Sequence, residues 1–391
     1  MTSFSTEEKN ILTWLHKIVN IDAFNTSICM TKRIDGLDVA RAIALFGMMI
    51  ENFKVVSALG MSNPRYHNLL MGSIDGRSAP LFVILAGMGL SLMTLKAKKS
   101  GDPLLIRETR LTILKRGAFL TVFGYLFILI WQADILHYFG VYFAVGALLF
   151  TINDRRLLIA MIGFALGFVI LIFIFNYDAG WDWETLTYLD LWTFSGFFRN
   201  LFFNGFHPIF PWTAFFLFGM WLARRDFNDP KFRGRLLFWG AVTFVTTEAI
   251  SWGLVRFMLY LSGTVLPIKP EDIPYFFGTE FIPPMPFYLL SACGTAAIVI
   301  ALSLFAMERP RASTLLRPLI AVGRMSLTIY VAHILVGMVI LDAINRLEGV
   351  GLVYALVYAV VVFLLSVIFA LFMEKSFSRG PLEGLMRWMT G

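Results

Sequence analysis

RRLLIAMIGFALGFVILIFIF, residues 155–175, sets two arginines against nineteen consecutive residues without a charge. A helix needs about 20 apolar residues to cross the hydrocarbon core of a bilayer. The stretch therefore reads as a membrane span entered from its arginine end. Working outward, comparable stretches recur near 36–56, 79–95, 111–131, 134–151, 208–223, 236–261, 285–306, 319–341 and 351–373. The pattern predicts an all-α fold, a polytopic membrane helix bundle of about ten transmembrane helices. Composition agrees. Hydrophobic residues make up 58% and charged residues 15% of the 391, against roughly 25% charged in a soluble domain, and the mean hydropathy is +0.73.

The basic residues alternate with the spans. Lys32 and Arg33 precede the first span, Lys96, Lys98, Lys99, Arg107, Arg110, Lys115 and Arg116 surround the second connection, and Arg224, Arg225, Lys231, Arg233 and Arg235 lie between the sixth and seventh spans. About 24 Lys and Arg fall on one side and about six on the other, which the positive-inside rule reads as two cytoplasmic termini. The formal charge of +7 is then a topology signal, and nucleic-acid binding gains no support from it. Residues 1–32 form a cytoplasmic N-terminal segment ahead of a membrane domain at 33–391. Within that segment Ile11, Trp14, Leu15 and Ile18 fall on one helical face, as in an interfacial amphipathic helix. No signal peptide precedes the first span. Cys29 and Cys293 stand far apart and suggest neither a disulfide framework nor a metal site.

Two outer loops are long. Residues 176–207 carry Trp181, Trp183 and Trp192 as interface anchors among acidic residues, and 262–284 is rich in Pro and Gly. Both are candidates for a lid, and both also fit inert acidic loops. A short internal echo links APLFVILAGMGLSLM (79–93) to FPWTAFFLFGMWLAR (210–224).

Ionisable side chains inside a span are expensive and mark function by default. The first span is the outlier, with Asp38, Arg41, Glu51 and Lys54. Each pair is spaced by three and shares a helix face; the plainer alternative is a pair of ion pairs near the helix ends. His67 lies in the following outer loop with Asp75 and Arg77, where imidazole is the commonest general base and a solvated surface histidine the commoner case. Glu248, with Arg256 beyond it, and His333, beyond Arg324, lie mid-span and must line a cavity or pair. Asp134 with His137 reads as a helix cap at the start of the fourth span, and His207 before Pro208 as a turn residue. No phosphate-cradling loop, zinc motif or nucleophile elbow is present in the sequence, so these residues alone leave enzyme and transporter open.

RIDGLDVARAIALFGMMIEN (33–52) resembles the opening signature of the heparan-alpha-glucosaminide N-acetyltransferase-like membrane proteins and their bacterial relatives, in which a basic residue precedes Leu-Asp-x-x-Arg-Gly and the helix ends in asparagine. GRSAPLFVILAGMGLSLM (76–93), FHPIFPWTAFFLFGMWLARR (206–225), VGRMSLTIYVAHI (322–334) and GPLEGLMRWMTG (380–391) resemble later blocks in the same order. Ala42 departs from the glycine that usually follows the arginine.

The resemblance implies transfer of an acetyl group from cytoplasmic acetyl-CoA, as cosubstrate and without a metal, to an amine or hydroxyl beyond the membrane. It implies His67 as general base and Asn52 as the group that stabilises the developing oxyanion. Arg41, Arg116 and Arg324, with Asp38 orienting Arg41, would hold the donor's phosphates at the cytoplasmic end, and Asp75, Arg77, His333 and Glu248 would line the substrate path. The implied partners are membrane lipid, acyl-CoA, a glycan or lipid-linked acceptor and, as an option, a second copy in a homodimer; the implied location is a bacterial inner membrane. A transporter or flippase for an envelope precursor is the alternative.

Overall fold

The computed structural model describes residues 33–58, 76–183, 185–262, 269–309, 311–344, 351–377 and 379–391. The N-terminal segment 1–32, His67 and Asp75 lie outside the described residues.

In chain order the helices are α1 (Asp35–Ala58), α2 (Ser78–Ser100), α3 (Pro103–Phe127), α4 (Leu136–Leu149), α5 (Asp154–Ile174), α6 (Phe194–Arg199), α7 (Ile209–Leu222), α8 (Pro230–Ser262), α9 (Asp272–Phe277), α10 (Pro286–Ala306), α11 (Ala312–Leu315), α12 (Arg317–Arg324), α13 (Ser326–Ala343), α14 (Leu352–Ser376) and α15 (Pro381–Thr390). The described strands are β1 (Trp181–Asp182) and β2 (Thr187–Tyr188), an antiparallel pair. The chain is an all-α polytopic membrane bundle. Ten of the described helices have 14 or more residues, and each falls on one of the spans read from the sequence.

Six of them, α2, α5, α8, α10, α13 and α14, are long and apolar enough to cross a bilayer on that measure alone. The exceptions have physical reasons. α1 and α3 carry several charges, and α4 has only 14 residues. α7 is also short, but together with α6 and the π-helical turn Asn200–Asn204 it makes a pair bent by 43° that is long and apolar enough on the same measure. The stretch 319–341, predicted as one span, is divided between α12 and α13 at Met325, whose backbone (φ −113°, ψ 31°) leaves the helical region.

The chain forms two compact units, one of Met1–Ser57 with Ala306–Gly391 and the other of Ala58–Phe305. In the first, α12 approaches α1 so closely that a Cβ on Gly323 would stand 1.9 Å from the Asp38 carbonyl oxygen, so only glycine fits. The Tyr358 hydroxyl of α14 donates to the Gly337 carbonyl of α13 at 2.7 Å. α13 has no side-chain cap of its own. Glu383 of α15 supplies one, accepting through Oε1 the N–H groups of Leu327 (2.7 Å) and Thr328 (3.1 Å), which would otherwise be orphan donors of the first turn.

In the second unit the two echoed segments are the helices that pack on each other. A Cβ on Gly87 would meet the Phe216 carbonyl at 2.0 Å and one on Gly219 the Ile84 carbonyl at the same distance, so α2 and α7 cross backbone to backbone. Their surroundings differ from those of α5, whose apolar window has a mean hydropathy of 3.1 and is only 11% buried, as suits a helix facing lipid. The basic residues of the connections tie helix ends together. Arg224 and Arg225 grip Asp154 at 2.9 and 2.7 Å, and Lys98 donates to the Ile152 carbonyl at 3.1 Å. In the loop 176–207, Trp181 is an internal residue. It stacks on Trp183 at 4.5 Å and donates its indole N–H to the Asn204 carbonyl, whereas Trp192 is exposed.

Candidate functional site

At the beginning of α1 the side chain of Asp38 is fully buried, and a buried carboxylate requires paired donors. The i, i+3 spacing brings Arg41 onto it. Arg33 closes a fork from the other direction, with Nε 2.6 Å from Oδ2 and Nη2 3.0 Å from Oδ1. The α12 approach permitted by Gly323 brings in Arg324, whose Nε lies 3.8 Å from Asp38 while its Nη2 and Nη1 bind Asp35 (3.1 Å) and Glu374 (3.0 Å). Arg317 adds a contact to Glu374 at 2.9 Å. Four guanidinium groups thus meet three carboxylates. The outer members, Arg33 and Arg317, keep more than half of their side chains exposed. Such a cluster offers N–H donors in the fork geometry that suits phosphate.

Fourteen residues further along α1, roughly 21 Å at 1.5 Å per residue, the Asn52 amide nitrogen lies 3.0 Å from His333 Nε2 on α13. The roles follow from the other ring nitrogen. His333 Nδ1 faces the Ile329 carbonyl at 3.3 Å, and a carbonyl can only accept, so Nδ1 carries the hydrogen and Nε2 receives the Asn52 N–H. Beyond this contact the Asn52 amide has the capacity for one further donated and one accepted hydrogen bond. The imidazole is set edge-on to Phe53 and Tyr330, with ring centroids 6.1 and 5.5 Å away. His333, expected from the sequence on the substrate path, lies within hydrogen-bond distance of Asn52.

The second unit joins Arg77 to Glu248. Arg77 Nη2 lies 3.0 Å from Glu248 Oε1 and also donates to the Thr279 carbonyl at 3.2 Å. Thr279 and Ser291 hydroxyls donate to the two carboxylate oxygens. Glu248 lines a cleft of about 490 Å³ with Trp252, Arg256, Thr279 and Glu280, in which Arg256 lies over the Trp252 ring at 4.9 Å. Arg77 is thus the partner of the mid-span Glu248, and Arg256 shares the cleft wall. Arg116 also belongs to this unit and donates from Nη1 to Met93 Sδ.

Asp134 and His137 form a further buried polar pair. Asp134 does accept the His137 N–H as a cap would, at 3.2 Å, and it also holds the imidazole Nδ1 at 3.0 Å. Both side chains are buried, and the His207 ring stands beside Trp212 at 4.5 Å. The only sequence signal was two histidines at the edges of apolar runs.

Two family models match the chain. One, described as "Heparan-alpha-glucosaminide N-acetyltransferase, catalytic", matches residues 33–237, just over half of the length. The other, described as "Protein of unknown function (DUF418)", matches residues 220–391. No curated protein matches. Asp38, Arg41, Asn52, Arg77 and Arg116 fall under the first model, and Glu248, Arg324 and His333 under the second.

Proposed function

Because the chain belongs to the heparan-alpha-glucosaminide N-acetyltransferase catalytic family, we propose that it is a membrane-embedded acyltransferase moving an acetyl or similar acyl group from cytoplasmic acyl-CoA to an extracytoplasmic glycan or lipid-linked acceptor. The family match supports a membrane acetyltransferase-type activity. The observation that carries the finer reading is the division of α1 into an arginine cluster at Asp38 and an oriented amide at Asn52.

The donor's nucleotide carries phosphates that cannot enter hydrocarbon, so they need a polar seat at the membrane face. Arg33, Arg41 and Arg324 supply one, with Asp38 holding the guanidinium groups in register. Arg116 is a further candidate anion contact in the second unit. The thioester is then to be attacked near the other end of α1. In this reading His67 takes the proton from the acceptor hydroxyl or amine as its oxygen or nitrogen bonds to the acyl carbon. The second N–H of Asn52 binds the carbonyl oxygen as charge builds on it, a contact that gains most in the transition state. The carbon–sulfur bond breaks, and the leaving thiolate takes the proton back from His67. His333 keeps the Asn52 amide in the required rotamer. Asp75, with Glu248 in its cleft and Arg77 paired to that carboxylate, contributes to acceptor binding.

The charge asymmetry of the loops supports two cytoplasmic termini, and the membrane in this reading is a bacterial inner membrane. The testing experiment is transfer of labelled acetyl from acetyl-CoA to cell-envelope fractions by purified protein. Label appearing in a glycan or lipid-linked product supports the reading; absence of transfer with every acyl-CoA offered removes it.

A further inference from the structure

α8 carries an arginine near each end of its apolar part, and each has a tryptophan one turn inward: Arg235 with Trp239, and Arg256 with Trp252. The arginines are 21 residues apart, roughly 31 Å at 1.5 Å per residue, which matches a hydrocarbon core of about 30 Å. Both tryptophans are exposed, as suits side chains at the headgroup level. Arg235 and Arg256 therefore stand at opposite faces of one bilayer.

The two arginines differ in their company. Arg235 has a carboxylate nearby, with Nη2 3.7 Å from Asp229. Arg256 lies over the Trp252 ring at 4.9 Å, and its guanidinium has no hydrogen-bond or ion-pair partner among the described residues. It lines the cleft of about 490 Å³ together with Glu248 and Glu280. Glu248, two turns deeper on α8, is charge-matched by Arg77 and accepts from the Thr279 and Ser291 hydroxyls. Glu280 has no such partner among the described residues, Arg256 included. The cleft thus presents one cation and one anion that neither pair with each other nor with the rest of the second unit.

This pair selects a ligand. An anion on Arg256 would also meet Glu280, and a cation on Glu280 would also meet Arg256. A zwitterion with a phosphate and a primary ammonium answers both. The guanidinium fork suits phosphate oxygens, and an ammonium N–H donates to a carboxylate. A quaternary ammonium has no N–H to give, and the Trp252 face that could hold one by cation–π attraction is taken by Arg256. The cleft also opens along an apolar flank. Trp252, Val255 and Leu259 line it, Phe257 and Tyr260 beside it are exposed, and the apolar window of α8 is only 11% buried. Acyl chains attached to the zwitterion would lie on that flank. We infer that Arg256 and Glu280 form a headgroup site for a phospholipid of the phosphatidylethanolamine class, in the leaflet on the Arg256 side. The inference goes beyond the acyl-transfer reading, which gives neither residue a role. Its test contains no acyl donor, so either can fail without the other.

The test titrates the purified, delipidated full chain in detergent with palmitoyl-oleoyl phosphatidylethanolamine and counts bound lipid by native mass spectrometry. Saturable binding is expected, with phosphatidylcholine and phosphatidylglycerol of the same chains weaker by roughly 5-fold, the upper range for a solvent-reached ion pair. Arg256→Gln and Glu280→Gln should each lose about as much, and Glu280→Gln should narrow the preference over phosphatidylglycerol. Arg235→Gln, at the opposite face, should bind as the unaltered protein does. Both cleft positions are exposed, and a melting curve checks that each variant folds; if one does not, the other decides. Equal binding of the three lipids would mean a general lipid annulus and would overturn the inference, as would unchanged affinity in a folded Arg256→Gln or Glu280→Gln. Equal affinity for free O-phosphoethanolamine would show that the apolar flank adds nothing, and would overturn the assignment to a lipid.

Discussion

The two polar centres on α1 differ in kind. Around Asp38, four arginines and three carboxylates interlock, with the carboxylate of Asp38 inside and guanidinium edges reaching outward. At Asn52 the contact is between an amide and an imidazole, held in one tautomer by a backbone carbonyl. Charge on several long side chains suits holding a polyanion at a wet boundary, where each contact adds affinity. A single oriented amide adds little affinity, but it can favour a developing charge where water is scarce. The contrast makes a kinetic forecast: damage at the Asn52 end should appear in turnover, and damage at the Asp38 end in donor affinity.

The largest effect is expected from the proposed base. His67→Ala should lower turnover roughly 10²–10⁴-fold, the usual contribution of a positioned acid or base, with acetyl-CoA binding unchanged. In the unaltered protein the rate should rise with pH through the histidine titration, because only neutral imidazole accepts a proton. Normal turnover in the variant would transfer the role elsewhere. Next comes Asn52→Ala, with a loss of about 10²–10³-fold in kcat, as for one oxyanion donor removed. Should its loss fall on the Michaelis constant for acetyl-CoA instead, the division of labour along α1 would be wrong.

The contrast also explains what a single sequence could disclose. The spans were legible because hydropathy acts through local composition, and the Asp38–Arg41 contact because i, i+3 spacing is a property of any helix. The pairing of Asn52 with His333 was not legible, since it joins positions 281 apart. The same holds for Arg77 and Glu248, 171 apart. In the latter case the price of a mid-span carboxylate predicted that a partner exists, while Arg256 on the same helix was the nearer candidate by sequence. The break at Met325 was hidden for another reason: an apolar run keeps its hydropathy whether its helix is continuous or interrupted. Trp181 was read as an interface anchor because tryptophans cluster there by frequency, but its indole N–H found a backbone carbonyl inside the loop.

At the ionic end the expected effects are smaller. Arg41→Ala and Arg324→Ala should each weaken coenzyme A binding by on the order of 1.5–3 kcal/mol, the range for a hydrogen bond to a charged group, with kcat for bound donor nearly unchanged. Calorimetric titration of the purified variants measures this directly. Because Arg41 also satisfies the buried Asp38 and Arg324 pairs with Asp35 and Glu374, a melting curve must accompany each titration, and equal affinity in a folded variant would remove that residue from the donor site.

The smallest effect concerns neither centre but the capping contact that fixes α13, and with it His333. Glu383→Ala removes the acceptor for the Leu327 and Thr328 N–H groups, and loss of a helix cap costs about 0.5–2 kcal/mol. Glu383→Gln keeps an amide oxygen in the Oε1 position and should cost less. The two variants also separate capping from charge. Glu383 lies beyond the last span, on α15, where desolvation raises its carboxyl above the usual range, opposed in part by the hydrogen bonds from Thr328 and Leu327. A carboxyl with a raised folded-state pKa binds its proton more tightly in the folded chain than in the unfolded one. Its contribution is therefore fully present below the unfolded pKa and is lost as pH rises through the folded value. The unaltered protein should melt at a lower temperature above that window than below it, by the share due to this one group. Glu383→Gln, which cannot ionise, should lack that share of the decline. If both proteins follow the same melting curve from mildly acidic to neutral pH, Glu383 acts on α13 through geometry alone.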